Sequence, residues 1–470
     1  MRTLLGILLA VCLATAARSG SGAEAAREGI ADEENQCIAC HGNPDVWEGE
    51  TLRLFVKPTE LAGDIHWQKG LRCNDCHGGN AKTTQVREAH ATEDGFRSIK
   101  TADMPDFCGH CHSDTAYMRR YQPSPRIDQE QEYWTSGHGQ RLKEATEKHK
   151  QAVAEVKPGE EEPKFQNPGV ATCLSCHTAE RKHNILAVKD QKSPVFPTHV
   201  AETCGKCHSD AKLMAGRTYH DRPLPHDQYE NWKQSVHAGA MLKKGDLSAA
   251  TCNSCHGNHG ALPPDVDSVA NACGRCHGKI AGLFAKTTMK HRFETAGLPG
   301  CATCHSNHFI KRPSDQMLGM EQGAVCSRCH ENNQHGATLA GADAARKMRT
   351  DLEDLKQQIA VAEERLDEAE RLGMEVRKPR FDLRQARDAL TNSRAQIHTF
   401  ALQPFEAAVA EGLKVTEKVQ AGAVGALEEY THRRQWLAGS LAPILVVVVL
   451  LLLYIRSLPI PTAKTAKPSH

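Results

Sequence analysis

The run Cys252-Asn253-Ser254-Cys255-His256-Gly257-Asn258-His259 sets two thiols three residues apart, an imidazole directly after them and a second imidazole three residues further on. Its first five residues repeat through the chain. The pairs are Cys37/Cys40, Cys73/Cys76, Cys108/Cys111, Cys173/Cys176, Cys204/Cys207, Cys252/Cys255, Cys273/Cys276, Cys301/Cys304 and Cys326/Cys329. Each is followed at once by a histidine: His41, His77, His112, His177, His208, His256, His277, His305 and His330. Nine pairs use eighteen of the 19 cysteines and leave only Cys12.

C-x-x-C-H is the attachment pattern of c-type haem. The thiols bond to the porphyrin vinyl groups, and the adjacent imidazole is the proximal iron ligand. A zinc ribbon or a disulfide framework places no demand for a histidine after every pair. The expected cofactors are therefore nine covalently bound c-type haems.

Composition agrees. In 470 residues, 58 basic side chains balance 57 acidic ones, which argues against nucleic acid as the main partner. Aromatic residues are only 5%, so the middle of the chain is poor in large core-formers. Porphyrins would supply the missing apolar bulk. The expected fold is mainly α, with little regular secondary structure in the haem-packed body.

The ends are apolar. The run from Leu4 to Ala17, then small residues through Ala23, reads as a signal peptide over 1–23, cleaved after Ala17 or Ala23. Leu437 to Ile455 carries no charge and is just long enough to span a bilayer. The expected organisation is a signal peptide (1–23), a nine-haem cytochrome domain (30–340), a helical hairpin stalk (341–435), a transmembrane helix (437–455) and a cytoplasmic tail (456–470). Export of the body, with Arg456, Lys464 and Lys467 behind, fits a bacterial inner-membrane anchor with the haem domain in the periplasm.

The remaining histidines reveal a module of haem site, histidine, haem site, histidine. It reads Cys37, His66, Cys73, His90. It recurs as Cys108, His138, Cys173, His183, then as Cys204, His237, Cys252, His259, and again as Cys273, His291, Cys301, His308. Cys326 is left over, with His335 after it. Cys108-Gly-His-Cys-His-Ser-Asp114 repeats as Cys204-Gly-Lys-Cys-His-Ser-Asp210, and Tyr133-x-x-Ser136-x-His138 as Trp232-x-x-Ser235-x-His237. The second module carries a Lys/Glu-rich insertion around 140–168, broken by Pro158-Gly159 and read as a surface loop there.

A six-coordinate iron needs a second axial ligand. The candidates are His66, His90, His138, His183, His237, His259, His291, His308 and His335. His259 and His308 follow proximal histidines by three residues, so each is expected to reach a neighbouring haem. His398 competes with His335 for the last place. His110, His149, His199, His220 and His226 are outside the chosen set.

Beyond the haem sites, Met348, Leu352, Leu355, Ile359, Ala362, Leu366 and Ala369 form a heptad seam. Gly373 and Pro379 mark a turn, and Leu383, Ala386, Leu390, Ser393, Ile397 and Phe400 continue a matching seam. An antiparallel hairpin is expected, and its seam could also serve self-association. Pro404, Gly412, Gly422 and Gly425 argue against a straight helical rod from there to the membrane.

The haem part resembles the multihaem c-type cytochromes. Its aromatic-x-x-Ser-x-His elements and Cys304-His305-x-x-His308 are similar to those of periplasmic multihaem electron carriers and of the decahaem conduits of metal-reducing bacteria. That resemblance implies an axial role for His138, His237, His259 and His308. The chain departs from the conduits in its hairpin and C-terminal anchor. It departs from tetrahaem quinol dehydrogenases, whose anchor is N-terminal, so their quinol site is not carried over. Ala386-Arg387-Asp388-Ala389-Leu390, running on to His398, is similar to the C-terminal helices of pentahaem nitrite reductases and octahaem hydroxylamine oxidoreductases. The C-x-x-C-K motif of the former is absent.

The resulting expectation is an electron-transfer protein ahead of an enzyme with its own substrate, and no catalytic residue is named. It would relay electrons between a quinol-linked membrane donor and a periplasmic or outer-membrane redox partner. The alternative is a reductase or oxidase of small nitrogen or sulfur compounds at one five-coordinate haem.

Overall fold

The computed structural model describes residues 35–179, 182–219, 221–262 and 272–459. The expected signal peptide and Cys12 lie outside these residues, as does most of the tail. The chain is 63% helical, as expected. Among the described residues the strands are one two-residue hairpin, Thr218–Tyr219 with Arg222–Pro223. The chain forms two compact units, one of residues up to 272 with 305–312, the other of 273–304 with 313 onward.

In the first unit each C-x-x-C-H sits on one or two turns of helix: Cys37–His41, Cys73–His77, Met104–His112, Cys173–His177, Val200–His208 and Cys252–His256. A helical turn puts residues i, i+3 and i+4 on one face, so both thiols and the imidazole point the same way. Local side chains start these short helices. Ser175 Oγ accepts the N–H of Thr172 at 3.0 Å, and Ser254 Oγ that of Thr251 at 3.1 Å. Asp75 does the same for Arg72 at 2.6 Å.

The repeated sequence elements are repeated caps. Asp114 Oδ1 accepts from Ala116 N and Tyr117 N, and Asp210 Oδ1 from Lys212 N and Leu213 N. Ser136 and Ser235 cap the helices that carry His138 and His237. The aromatic three residues earlier is a tether. Tyr133 OH donates to Ala171 O at 2.9 Å and Trp232 Nε1–H to Ala250 O at 3.1 Å, each just ahead of the module's second motif. The first part of the insertion is helical, within Gly137–Ala154, because no proline or glycine interrupts it after Gly139 and Glu144–Lys148 pairs along it at 2.7 Å.

The second unit is built on three long helices, Leu339–Arg371, Arg377–Gln396 and Leu402–Ser457. The seam of the first is buried throughout, from Met348 at 4% to Ala369 at 0% exposure. The hairpin is joined by the third helix, whose Phe405, Val409, Thr416, Val419 and Ala423 close the same core. Arg380 pairs with Asp367 and Glu370 across the turn, and Arg387 with Glu363, which fixes the register of the first two helices.

Two expectations are corrected. Phe400 is not on the seam. The second helix ends at Gln396, and Phe400 takes a left-handed conformation (φ +52°) and packs against Phe284, ring centroids 6.1 Å apart. The third helix is continuous through all four supposed breakers. Pro404 falls in its first turn, where no intrahelical N–H bond is needed. Gly412 and Gly422 are where neighbouring helices come closest. A Cβ on Gly412 would stand 2.9 Å from Leu355, and one on Gly422 would stand 3.1 Å from Pro379.

Residues 437–455 of the third helix are exposed and carry no charge. Among the described residues this is the one helix long and apolar enough to cross a membrane, which is compatible with an anchor.

Candidate haem-binding site

The cysteines approach one another in the order the modules predict. Thiols of the two motifs within a module hydrogen-bond: Cys37 with Cys73, Cys108 with Cys173, Cys204 with Cys252, and Cys273 with Cys301. One thiol of each pair is favoured as thiolate by its partner's proton. Cys37, Cys252 and Cys301 fall to about 7 for this reason. Successive modules also meet, through second thiols. Burial, then Cys173 and Cys207, push Cys176 up to about 11. Burial, then Cys111, raises Cys76. In the second unit burial, then Cys326, pushes Cys304 up to about 11. The cysteine pairs thus succeed one another in space as they do in the chain, first to sixth in one unit and seventh to ninth in the other. No disulfide joins any of the eighteen described cysteines.

Two of the expected attachment thiols, Cys40 and Cys276, are not brought into this series of contacts. Cys40 is half-buried on the helix of the first motif, and the Trp47 indole N–H donates to its carbonyl at 3.0 Å. Cys276 departs further from the expectation. It is exposed and lies in a turn, because the helix at the seventh motif stops at Gly274. The turn is closed by Cys276 N–H and His277 N–H donating to Cys273 O, at 3.2 and 2.9 Å. The assignment of these two thiols to haem therefore rests on the C-x-x-C-H spacing alone.

Six motif histidines face a second imidazole. His41 faces His90 with ring centroids 6.1 Å apart, His77 faces His183 at 6.0 Å, and His112 faces His66 at 6.0 Å. His177 faces His259 at 6.1 Å, His208 faces His138 at 6.1 Å, and His256 faces His308 at 5.9 Å. A metal–imidazole bond of about 2 Å on each side, plus the half-width of each ring, separates two rings clamping one metal ion by roughly 6 Å. The spacing matches a six-coordinate iron. The residues present therefore fit haem.

The pairing has a register. His66 and His138 each face the first motif of the next module, while His183, His259 and His308 each face the second motif of the module before. Of these six pairs, that of His90 with His41 lies within one module. The rings are held for this task. Burial lowers His138 and His177 to about 4, and it also lowers His77, His112, His183, His208, His259 and His308, which keeps the imidazoles neutral. Nδ1–H donates to a main-chain carbonyl in His41 (Leu54, 2.8 Å), His90 (Val86, 2.8 Å) and His256 (Leu262, 3.0 Å). That leaves Nε2 for the metal. In His66 the partner is instead the Asp64 carboxylate at 3.1 Å.

The other candidates are placed differently. His277 stands at the start of Gly278–Phe284, and His305 ends Gly300–His305. His237 is the second residue of Val236–Ala238, as His138 is of its helix. His398 is half-buried in the turn Ile397–Thr399, which packs on Gly278–Phe284 directly after the seventh motif, and its Nδ1–H donates to Ala395 O at 3.2 Å. His291 lies on Thr288–Thr295 with its side chain 84% exposed. His335 is exposed, in a left-handed turn (φ +51°). Neither ring faces His330. His330 donates Nδ1–H to Thr338 O at 2.8 Å, and a Cβ added to Gly341 would stand 2.3 Å from its ring. Gly341→Ala should therefore displace the His330 ring and change the ligation of the ninth haem alone, leaving its covalent attachment intact. Paramagnetic resonance and visible spectra of the purified variant would show one haem changing spin state at an unchanged haem count. An unchanged spectrum would contradict this packing.

Sequence reasoning passed over Asp64 and Gly341. For Asp64 a signal was present, since Asp64-x-His66 stands where the later modules have Ser136-x-His138 and Ser235-x-His237.

Facing imidazoles, thiols arranged in series and a largely helical body support a multihaem cytochrome. A cytochrome c3 family model matches residues 244–331, the stretch holding the sixth to ninth motifs. No curated protein and no solved structure matches the chain.

Proposed function

We propose that this chain is a membrane-anchored, periplasm-facing cytochrome with nine c-type haems, relaying electrons between a quinol-linked membrane donor and a periplasmic or outer-membrane acceptor. The observation that carries the reading is the set of six imidazole pairs at 5.9–6.1 Å, strung along motifs that follow chain order. Haem supplies a one-electron change of oxidation state, and imidazole on both faces leaves no place for substrate. The protein's own part is to bind and orient. The cysteines fix each porphyrin covalently, and the capped helices aim the proximal imidazoles. The distal imidazoles reach across from neighbouring modules and tie successive sites together.

A second reading is favoured by one observation, that neither His291 nor His335 faces His330. If one haem is open, it is the haem of Cys326 and Cys329, and a reductase or oxidase of small nitrogen or sulfur compounds would work there. Electron paramagnetic resonance of the purified, detergent-solubilised chain, with nitrite, hydroxylamine and sulfite added in turn, separates the two. The relay predicts low-spin ferric haem throughout and no response. A single high-spin, ligand-responsive haem that disappears in Cys326→Ala/Cys329→Ala replaces the relay with the enzyme.

A further inference from the structure

We propose that Asp64 gives the haem of Cys108, Cys111 and His112 the lowest reduction potential in the first unit. The inference rests on the ligation reading above. In the first three modules the middle histidine is the second residue of a helix, and the residue two before it is the cap. In modules two and three that cap is a serine, whose hydroxyl is spent on the backbone: Ser136 Oγ on Gly139 N and Tyr133 O, and Ser235 Oγ on Ala238 N. In module one the cap is a carboxylate.

Asp64 is 5% exposed and accepts the N–H groups of His66 and Ile185, both at 2.8 Å. Its Oδ1 stands 3.1 Å from His66 Nδ1, and among the described residues His66 is its one ion-pair partner. His41, His77, His90 and His256 give their Nδ1–H to neutral carbonyls. A buried carboxylate draws harder on that proton. It makes Nε2 a stronger donor and adds a negative charge close to the iron, and both effects stabilise the ferric state. Glu132 lies 3.7 Å from Nδ1 of His259, but its side chain is 35% exposed and it shares Arg126 with Asp128, so water and the guanidinium screen its charge where the buried Asp64 is not screened. An electron crossing the first unit therefore meets its highest step at the third of six sites.

The test is a potentiometric titration of the full-length holoprotein, followed by visible and paramagnetic resonance spectra. Asp64→Asn and Asp64→Ser both keep a good helix cap while removing the charge. The last component to reduce should move up so that its oxidised-to-reduced ratio at fixed potential changes at least tenfold, or 59 mV for a one-electron couple. The other components should stay in place, and Asp64→Glu should restore the low value. A uniform shift, or no tenfold change in any component, overturns the inference. If His66→Ala creates no high-spin haem, the ligation reading has failed, which is a distinguishable result.

A second readout needs no Asp64 variant. The His66 and His112 rings cross at 84°, nearer to perpendicular than the other five pairs. Crossed imidazole planes give a ferric signal with a large maximum g value. In the wild-type protein the last first-unit haem to reduce should carry that signal. If it carries a parallel-ring signal instead, the inference falls.

Discussion

Replacing His259 with alanine should turn one haem high-spin, and that haem should be the one held by Cys173, Cys176 and His177. The motif three residues upstream of His259, ending at His256, should be unaffected. The rings of His177 and His259 lie 6.1 Å apart and within 4° of parallel, whereas His256 faces His308 at 5.9 Å. Alanine removes the second nitrogen donor and leaves a slot the size of a ring, so imidazole added to the buffer should restore the low-spin spectrum. Removing the fourth motif as well (Cys173→Ala with Cys176→Ala) should abolish the new signal. Removing the sixth should leave it. A high-spin signal that follows the sixth motif would mean that the modules are not cross-linked as the ring geometry requires.

Shortening the chain should separate two roles of the third helix. A chain ending at Gln435 retains Phe405, Val409, Val419, Ala423 and the partly buried Tyr430, so its bundle should stay folded while the protein leaves the membrane fraction. A chain ending at Ala401 loses all of these. Phe405 is fully buried, and truncating one such phenylalanine alone typically destabilises by about 3–5 kcal/mol. Several such losses together exceed the roughly 5–15 kcal/mol that holds most domains folded. The helical signal of residues beyond 338 should then be lost, as circular dichroism and limited proteolysis would show. A folded bundle without the third helix would show that the hairpin is self-sufficient.

The parts legible in the sequence are those fixed by short spacings. C-x-x-C-H needs one helical turn, and the seam from Met348 to Ala369 needs one helix, so both can be read locally. The modular pairing of motifs was visible in the order of histidines, and the thiol contacts fall in the same pairs. What the sequence did not show is set by distant packing. Nothing local says that His66 looks past the second motif to the third, 46 residues away (His66 to His112). Nor does the motif at Cys273 announce that its second thiol, Cys276, sits in an exposed turn while its counterparts at Cys111 and Cys176 are on helices. Gly412 and Gly422 look like breaks until Leu355 and Pro379 are seen lying against them. Phe400 fits the heptad by count, but the chain has left the helix before reaching it.

The unbroken third helix acts as a ruler. It begins at Leu402, two residues after Phe400, which packs on Phe284 behind the seventh motif. From Leu402 to the apolar stretch at Leu437 it rises about 52 Å, and a tilt of about 20° would bring that to roughly 50 Å. The bundle end bearing the seventh motif is thus held far above the lipid surface on the proposed anchored reading. A quinol dissolved in the bilayer could not hand its electron directly to that haem. On that reading a donor to the seventh site would be a protein that lifts its own redox centre to the same height, and reach would become a selection rule for partners there, independent of charge or sequence at the contact.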